Sequence, residues 1–315
     1  MAPMDASRSG IDKPLRDQTS NRTIPMPTPD PRLLDRLRRL PEHLREHIRG
    51  QDHVIDPICS VLRRGELGLA NPHRPRASLL LAGPTGVGKT ELTNVFTSYL
   101  FSSPDNPGEP AAKPIRFDMS EYQLQSSVDK LIGGAPDETG LLGRALHNLQ
   151  RGTLLFDEIE KAHPLVLDLF LQILDDASIT LATGERKNLS GFYVVSSTSN
   201  IGASETMRMQ SAPFASIQRT VFARVGQQLR PELVGRITEK LVFNRLSYDV
   251  QRGICEHMIA LEQTRLRAVG HAIEVTEADV ETILREGYHK TLGARPMRTT
   301  VERYLQTAAM ERLVC

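Results

Sequence analysis

The sequence predicts an α/β protein in which a parallel sheet flanked by helices is followed by a smaller and mostly helical domain. Short apolar runs rich in β-forming residues alternate with helical segments, which is typical of parallel strands that are buried on both faces. From about residue 247 these runs nearly vanish and the pattern becomes helical. The apolar runs that we predict to be strands are residues 78–83, 114–118, 153–158, 192–200 and 239–244.

The N-terminal segment is expected to be a flexible tail. Residues 1–30 are rich in Pro, Ser, Thr and Asp and have too little apolar surface to offset the entropy cost of ordering. Leucines then recur at helical spacing among arginines, with Pro41 interrupting, which predicts one or two short amphipathic helices. The predicted division is a tail at 1–30, a large α/β domain with a helical lead-in at 31–246, and a small helical domain at 247–315 in which 272–275 is one possible short strand.

Composition and charge restrict the classes of function. The 39 Lys and Arg residues nearly balance 38 Asp and Glu residues, so a surface built for nucleic acid is not indicated, although a local basic patch stays possible. The three cysteines are far apart and form no C-x-x-C pair, which predicts reduced thiols. Because no stretch approaches the roughly 18 apolar residues of a membrane helix and no signal peptide is visible, we expect a cytoplasmic protein without a membrane partner.

A phosphate-binding motif follows the first predicted strand directly and precedes a predicted helix. The stretch GPTGVGKT fits the pattern G-x-x-x-x-G-K-T. Its glycines allow backbone N–H groups to curl around phosphates, and the helix N-terminus adds a favourable dipole. Lys89 is predicted to reach the β- and γ-phosphates, and the Thr90 hydroxyl to bind Mg²⁺. The predicted nucleotide-binding residues of the motif are Gly83, Pro84, Thr85, Gly86, Val87, Gly88, Lys89 and Thr90.

Two acidic residues end the strand TLLFDE, and an amide ends a later strand. Asp157 is predicted to hold the Mg²⁺ and Glu158 to polarise the attacking water, because both groups are served from neighbouring strands of one sheet. Asn200 closes the run FYVVSSTSN and is predicted to point at the same water or at the γ-phosphate. The alternative for Asn200 is a polar cap at the end of the strand.

Many further motifs occur in order along the chain, including GQDHVI, DMSEY, LFDEIEKAHP, TSNIG, LRPELVGRI and GARPMR. Together with GPTGVGKT they resemble the second ATPase module of the Clp-type chaperones of the AAA+ superfamily, from about residue 48 to 312. The resemblance implies a large α/β subdomain and a helical lid with ATP and Mg²⁺ held between them. It also implies a homo-oligomer, usually a ring or spiral of six subunits, and a contact between the nucleotide and Val54 and Ile55 of GQDHVI.

Two arginines match positions with catalytic roles in the family. Arg236 in LRPELVGRI falls on the arginine finger that reaches into the neighbouring subunit's ATP. Arg295 in GARP falls on the lid arginine that senses the γ-phosphate within its own subunit. Both would place positive charge where phosphoryl charge develops.

The stretch HLREH at residues 43–47 fits the H-x-x-E-H pattern of one class of metalloproteases. It lies in a charge-rich lead-in helix with no obvious ligand outside the motif. We therefore expect solvated imidazoles and no zinc chemistry there.

The loop at residues 131–144, LIGGAPDETGLLGR, differs from the family. The family carries a tyrosine here that projects into the ring's pore and pulls on substrate, whereas no aromatic residue occurs between Tyr122 and Phe156. The segment is also shorter, with residues 137–139 (Asp-Glu-Thr) where the aromatic would be. Residues 141–142 are expected to begin the next helix and face the core. A short acidic loop cannot wedge against a polypeptide as a bulky ring does.

The expected function follows from a complete catalytic set beside reduced gripping elements. We expect no folded N-terminal substrate domain, first ATPase module, coiled-coil insertion or protease-docking loop, and a lid that ends early. The leading hypothesis is an oligomeric ATPase that remodels an unidentified protein partner without processive threading. The alternative is a nucleotide-dependent scaffold, regulator or loader, as a ring or filament that possibly binds DNA, in which hydrolysis only resets assembly. An unfoldase with atypical loops is a third hypothesis.

Overall fold

The computed structural model describes residues 30–102, 110–198, 201–209, 212–289 and 292–314. The predicted tail, apart from Asp30, lies outside these residues. The strands in chain order are β1 Ala77–Ala82, β2 Ile115–Asp118, β3 Gly152–Asp157, β4 Ser178–Thr180, β5 Arg186–Asn188, β6 Phe192–Ser197 and β7 Glu239–Val242. The helices are α1 Pro31–His47, α2 Asp52–Glu66, α3 Lys89–Phe101, α4 Ser127–Ile132, α5 Gly140–Ala145, α6 Pro164–Asp176, α7 Ala203–Arg208, α8 Phe214–Gln228, α9 Pro231–Arg236, α10 Tyr248–Ala268, α11 Glu277–Gly287 and α12 Met297–Val314.

The five predicted strands form one parallel sheet in the order β2-β3-β6-β1-β7, which confirms the predicted fold class. The register places Asp118 of β2 opposite Asp157 of β3. It also places Leu81 of β1 opposite Ser197 of β6. Because all the strands run in one direction, their carboxyl ends meet at one edge of the sheet, where ligands of open α/β sheets bind.

Both faces of the sheet are buried, as the continuous apolar runs predict. Alternate residues of β1 point to opposite sides, so Leu80 packs in one core cluster and Leu79 in the other. Phe156 of β3 contributes to the first cluster beside Phe170 of α6, with ring centroids 4.4 Å apart. The second cluster joins α1, α2 and α3 to the other face.

Helices α10, α11 and α12 surround a third core cluster that includes Cys255, Ile283 and Met297. The possible strand at 272–275 does not form, because this segment pairs with no strand and is instead fixed by Gln263, whose Nε2 donates to the Ile273 carbonyl over 2.8 Å. The helical character predicted for this part of the chain is confirmed.

Helix α1 is continuous through Pro41, where the sequence predicted an interruption. Proline has no N–H to donate to the carbonyl of Leu37, four residues earlier. The Nε of Arg63 in α2 donates to that carbonyl over 2.9 Å and so satisfies it. A long-range contact therefore allows a helix that local rules divide.

A short antiparallel hairpin, β4 and β5, was not predicted. Its strands have three residues each, and β5 is the polar sequence RKN, so neither carries an apolar alternation. Its connecting loop is tied to α4, because the Ala182 N–H donates to the Ile132 carbonyl over 3.0 Å.

Cys59 and Cys255 are buried, free thiols, and burial raises the pKa of each to about 11. Such thiols are poor nucleophiles at neutral pH. None of the helices in the part of the chain that the structure describes is long and apolar enough to cross a membrane.

Tyr193 gives a test of the packing between β6 and α2. Its ring is fully buried, and its hydroxyl lies 3.0 Å from the Leu62 carbonyl oxygen and 3.1 Å from Glu66 Oε1. Tyr193→Phe leaves these acceptors without that donor, so urea denaturation should show a free energy of unfolding lower by about 1–2 kcal/mol. The matched control is Tyr248→Phe, because that ring is 54% exposed and its hydroxyl bonds Glu281 at the surface. Equal losses in the two variants would contradict the packing described for Tyr193.

Candidate nucleotide-binding site

A cavity of about 500 Å³ opens at the carboxyl edge of the sheet, beneath α10 and α12. This volume is in the range of about 300–1,000 Å³ that small-molecule sites occupy. The lining comes from the phosphate loop, the strand ends, the segment after α1 and the helical domain. The lining residues are Thr85–Glu91, Arg116, Asp118, Asp157, Glu158, Thr198, His47, Ile48, Arg49, Leu246, Ile254, His257, Met258, Leu261, Ala294, Arg295, Arg298 and Thr299.

The phosphate loop runs from β1 into α3 in the conformation that its glycines permit. Gly88 is the N-cap of α3 with φ 106°, which is strained for any residue with a side chain. A Cβ at Gly86 would lie 2.0 Å from the Leu292 carbonyl oxygen. The Ala294 N–H donates to the Gly86 carbonyl over 3.1 Å. The segment before α12 therefore rests directly on the phosphate loop.

Lys89 is buried at the start of α3, with 7% of its surface exposed. Its Nζ donates to the carbonyls of Gly83, over 2.8 Å, and Pro84, over 2.5 Å. Burial lowers the pKa of Lys89 to about 8, against the opposing effect of the nearby carboxylates Asp157, Glu160 and Glu158. A buried ammonium among backbone N–H groups at a helix N-terminus fits a polyphosphate, whose negative charge would favour the charged lysine.

Asp157 ends β3 inside the cavity. Its Oδ1 accepts a hydrogen bond from the Ser197 hydroxyl of β6, and its Oδ2 accepts one from Arg116 Nη2 over 2.6 Å. Thr90 lines the same cavity. Carboxylate and hydroxyl oxygens are the ligands that Mg²⁺ prefers, so Asp157 and Thr90 fit a magnesium site beside the phosphate loop.

Glu158 has a left-handed backbone conformation, with φ 57° and ψ 46°. This conformation is uncommon for a residue with a side chain, and it concentrates at functional sites. The Glu158 carboxylate forms an ion pair with Lys161, whose pKa the bond raises. The turn therefore separates the direction of Glu158 from that of Asp157, so the adjacent acids can serve different atoms.

The two predicted arginines occupy different places. Arg295 is exposed and lines the cavity of its own chain. Arg236 ends α9 and is not among the lining residues. Its Nε lies 2.6 Å from Asp175 Oδ1 and its Nη1 donates to the Glu232 carbonyl over 3.0 Å. The bond to Asp175 raises the pKa of Arg236. The structure thus brings Arg295 into the site and leaves Arg236 outside it.

Two predicted nucleotide contacts are corrected. Val54 and Ile55 are 1% and 0% exposed and belong to the core cluster beneath the sheet, because the apolar face of α2 packs inward. The cavity wall on this side is formed by Ile48 and Arg49, which precede α2. Asn200 lies outside the described residues, so its predicted role is not placed.

Sequence reasoning missed Arg116 and Asp118 as cavity residues. They alternate at the end of β2, and Asp118 Oδ1 accepts hydrogen bonds from the Ser120 N–H over 3.0 Å and from its hydroxyl over 2.6 Å. Hydrogen bonds from Ser120 and the charge of Arg116 lower the pKa of Asp118, although burial opposes the shift. Their position at a strand end, level with Asp157, was a signal that could have found them.

The loop at residues 131–144 is closed on itself. The Gly134 N–H donates to Glu138 Oε2 over 3.0 Å, and the Glu138 N–H donates to the Ala135 carbonyl over 2.9 Å. Leu142 is fully buried in α5, and Leu141 packs against the same core, so the prediction that both face the core is confirmed. Within this loop, a bulky apolar side chain does not project into solvent.

Comparison with known proteins gives two adjoining family matches. A model described as "AAA domain (Cdc48 subfamily)" matches residues 74–240, and one described as "C-terminal, D2-small domain, of ClpB protein" matches residues 246–314. "Heat shock protein 100" of Trypanosoma brucei brucei is 35% identical over 280 residues, which cover 87% of this chain and 31% of that protein. "Chaperone protein ClpB" of Aquifex aeolicus (strain VF5) is 34% identical over 294 residues, which cover 89% and 28%.

Solved structures agree with these matches. The "S. cerevisiae Hsp104-ADP complex" superposes with a TM-score of 0.78 at 31% identity over 89% of this chain and 49% of that one. A reconstruction titled "Closed State CryoEM Reconstruction of Hsp104:ATPyS and FITC casein" gives a TM-score of 0.79 at 29% identity, with 92% and 50% covered. The chain therefore spans about a third of the length of these curated relatives and about half of the structural ones.

Proposed function

The chain belongs to the AAA+ ATPases of the Clp/Hsp100 type, and from this premise we propose that it hydrolyses ATP with Mg²⁺ to remodel or assemble a protein partner. The observation that carries the proposal is the single cavity into which Lys89, Asp157 and Glu158 all open. A relative's solved structure contains ADP and another is titled with casein, which supports a nucleotide and a protein substrate in this family.

Each residue of the cavity has a distinct proposed role. Lys89 binds the β- and γ-phosphates, Thr90 and Asp157 hold Mg²⁺, and Glu158 orients and polarises the water that attacks the γ-phosphate. Mg²⁺ would neutralise charge on the phosphate oxygens when it is bound. Arg295 contacts the γ-phosphate from the helical domain, and Asn200 assists at the water.

Arg236 supports a shared active site. Its distance from the cavity of its own chain fits a residue that serves the ATP of a neighbouring subunit. We therefore propose a homo-oligomer, as a hexameric ring or spiral, in which Asp175 holds the Arg236 guanidinium ready at the subunit surface. Asp175 is a positioning residue here, because it contacts the arginine and not the nucleotide.

The closed loop supports remodelling without processive threading. A pore loop that pulls on a polypeptide needs a bulky side chain in contact with that polypeptide. Here the loop's apolar residues are buried and Glu138 closes a short turn. The cytoplasmic location expected from the sequence stays a prediction.

The function is tested with a Glu158→Gln protein used as a trap. In the presence of ATP it should retain a protein partner from a lysate, and that partner, once purified, should stimulate ATP turnover of the wild-type chain. Electron microscopy with ATP should show closed rings or short spirals. Stimulation by DNA and not by any trapped protein, together with long filaments, would replace the proposal with the scaffold or loader hypothesis.

The loop itself gives a further prediction. Asp137→Ala and Glu138→Ala should both leave ATP turnover within about twofold of wild type, because both side chains are exposed and outside the cavity. Glu138→Ala should also lower the free energy of unfolding, by about 0.5–1 kcal/mol, since the Gly134 N–H loses its acceptor. Asp137→Ala is the matched control for that loss.

The threading part of this prediction uses a tagged fluorescent substrate protein. We expect no global unfolding of it by the wild-type chain with ATP. Robust unfolding that disappears in Asp137→Ala would show that the loop grips substrate, and the remodelling proposal would give way to a motor.

A further inference from the structure

One side-chain cluster outside the sites above has the composition of a metal site. His43, Glu46 and His47 lie on one face of the last two turns of α1, and each offers one ligand atom within 4.8 Å of the others. Residues separated by three and four positions share a face of a helix, so their side chains converge. We propose that this cluster binds one divalent transition-metal ion of the zinc type, with water completing its coordination.

The two imidazoles are already oriented for such an ion. His47 Nδ1 lies 2.8 Å from the His43 carbonyl oxygen. A carbonyl oxygen only accepts, so Nδ1 carries the proton and Nε2 of a neutral His47 keeps its lone pair for a metal. A hydrogen bond from the second ring nitrogen to a carbonyl is the usual support of a metal-binding histidine.

His43 is held by packing. Its ring stacks on Tyr99 of α3 with centroids 4.4 Å apart, and the Tyr99 hydroxyl donates to the Arg36 carbonyl over 2.8 Å. The His43 and His47 rings are also 4.4 Å apart. His43 is therefore half-buried and anchored, which corrects the expectation that both imidazoles are simply solvated.

The distances need little change to accommodate an ion. Zinc binds nitrogen and carboxylate oxygen at about 2.0–2.2 Å, so two of its ligands lie at most about 4.2 Å apart. Glu46 and His47 are exposed, and rotation of their side chains can bring the donor atoms closer by the remaining few tenths of an ångström. Two imidazoles and one carboxylate suit Zn²⁺, Ni²⁺ or Cu²⁺ and do not suit Mg²⁺, which prefers oxygen ligands.

The site adjoins the nucleotide cavity, because His47 also lines that cavity. It does not share ligands with the proposed magnesium site at Thr90 and Asp157. The metal proposal does not depend on ATP hydrolysis, since zinc binding can be measured without nucleotide.

The test is competition for Zn²⁺ between the tag-free full-length chain and a fluorescent chelator, with millimolar Mg²⁺ present to saturate oxygen-rich sites. We expect one Zn²⁺ per chain with an affinity that falls about tenfold or more in His47→Gln and in Glu46→Gln. The matched control is His73→Gln, which changes an exposed histidine outside the cluster and should bind as wild type does.

Thermal unfolding of each variant without zinc checks that the fold is intact. Glu46→Gln preserves shape at an exposed position, so it remains informative if His47→Gln is unstable. Wild-type affinity in Glu46→Gln and His47→Gln, or displacement of the zinc by Mg²⁺, would overturn the proposal.

Discussion

Replacing Lys89 with alanine should abolish detectable nucleotide binding, whereas Glu158→Gln should bind ATP tightly and fail to hydrolyse it. Lys89 is a buried cation of the phosphate loop, and its loss removes the charge that faces the β- and γ-phosphates. Glu158 acts on the attacking water, so its amide keeps the shape of the site but cannot accept the proton. Binding is measured with a fluorescent ATP analogue, and turnover by phosphate release.

The contrast between these variants matters more than either loss alone. Lys113→Ala is the matched control, because Lys113 is exposed and outside the cavity, and it should bind and hydrolyse ATP normally. Comparable ATP affinity in Lys89→Ala and wild type would remove Lys89 from the phosphate site. Full turnover in Glu158→Gln would remove Glu158 from catalysis.

Arg236→Ala should reduce ATP turnover by about 10³-fold while ATP affinity stays near that of wild type, because arginine fingers act on the transition state. The residue lies outside its own cavity and is held by Asp175 at 2.6 Å. Arg219→Ala is the control, since Arg219 is an exposed arginine on neighbouring α8 and should have little effect. Specific activity should also fall on dilution as subunits separate.

Two outcomes would contradict this role. Normal turnover in Arg236→Ala would show that this arginine does not complete any active site. Specific activity that stays constant on dilution into the nanomolar range would indicate that one chain hydrolyses ATP alone.

The sheet could be predicted because each central strand is an apolar run bounded by polar or glycine residues. The run at β6, for example, is buried at all six positions. The phosphate motif could be placed because its glycines and Lys89 stand directly between a strand and a helix. These features are local in sequence, and the long-range packing agrees with them.

The remaining features depend on long-range contacts. Helix α1 continues through Pro41 only because Arg63 satisfies the free carbonyl of Leu37. The short polar strand β5 exists because it pairs with β4. Which residues line the nucleotide cavity depends on how α2 is rotated, and that rotation buries Val54 and leaves Ile48 on the cavity.

The shared active site is the central claim, and mixing two inactive proteins tests it most directly. An Arg236→Ala subunit keeps its own Lys89, Asp157 and Glu158, and a Glu158→Gln neighbour can supply the missing Arg236. With random mixing in equal amounts, about a quarter of the sites combine an intact cavity with an intact arginine, so turnover should recover toward about a quarter of wild type. Turnover that stays at the level of the separate variants, although the mixed subunits assemble together, would contradict a site shared between subunits.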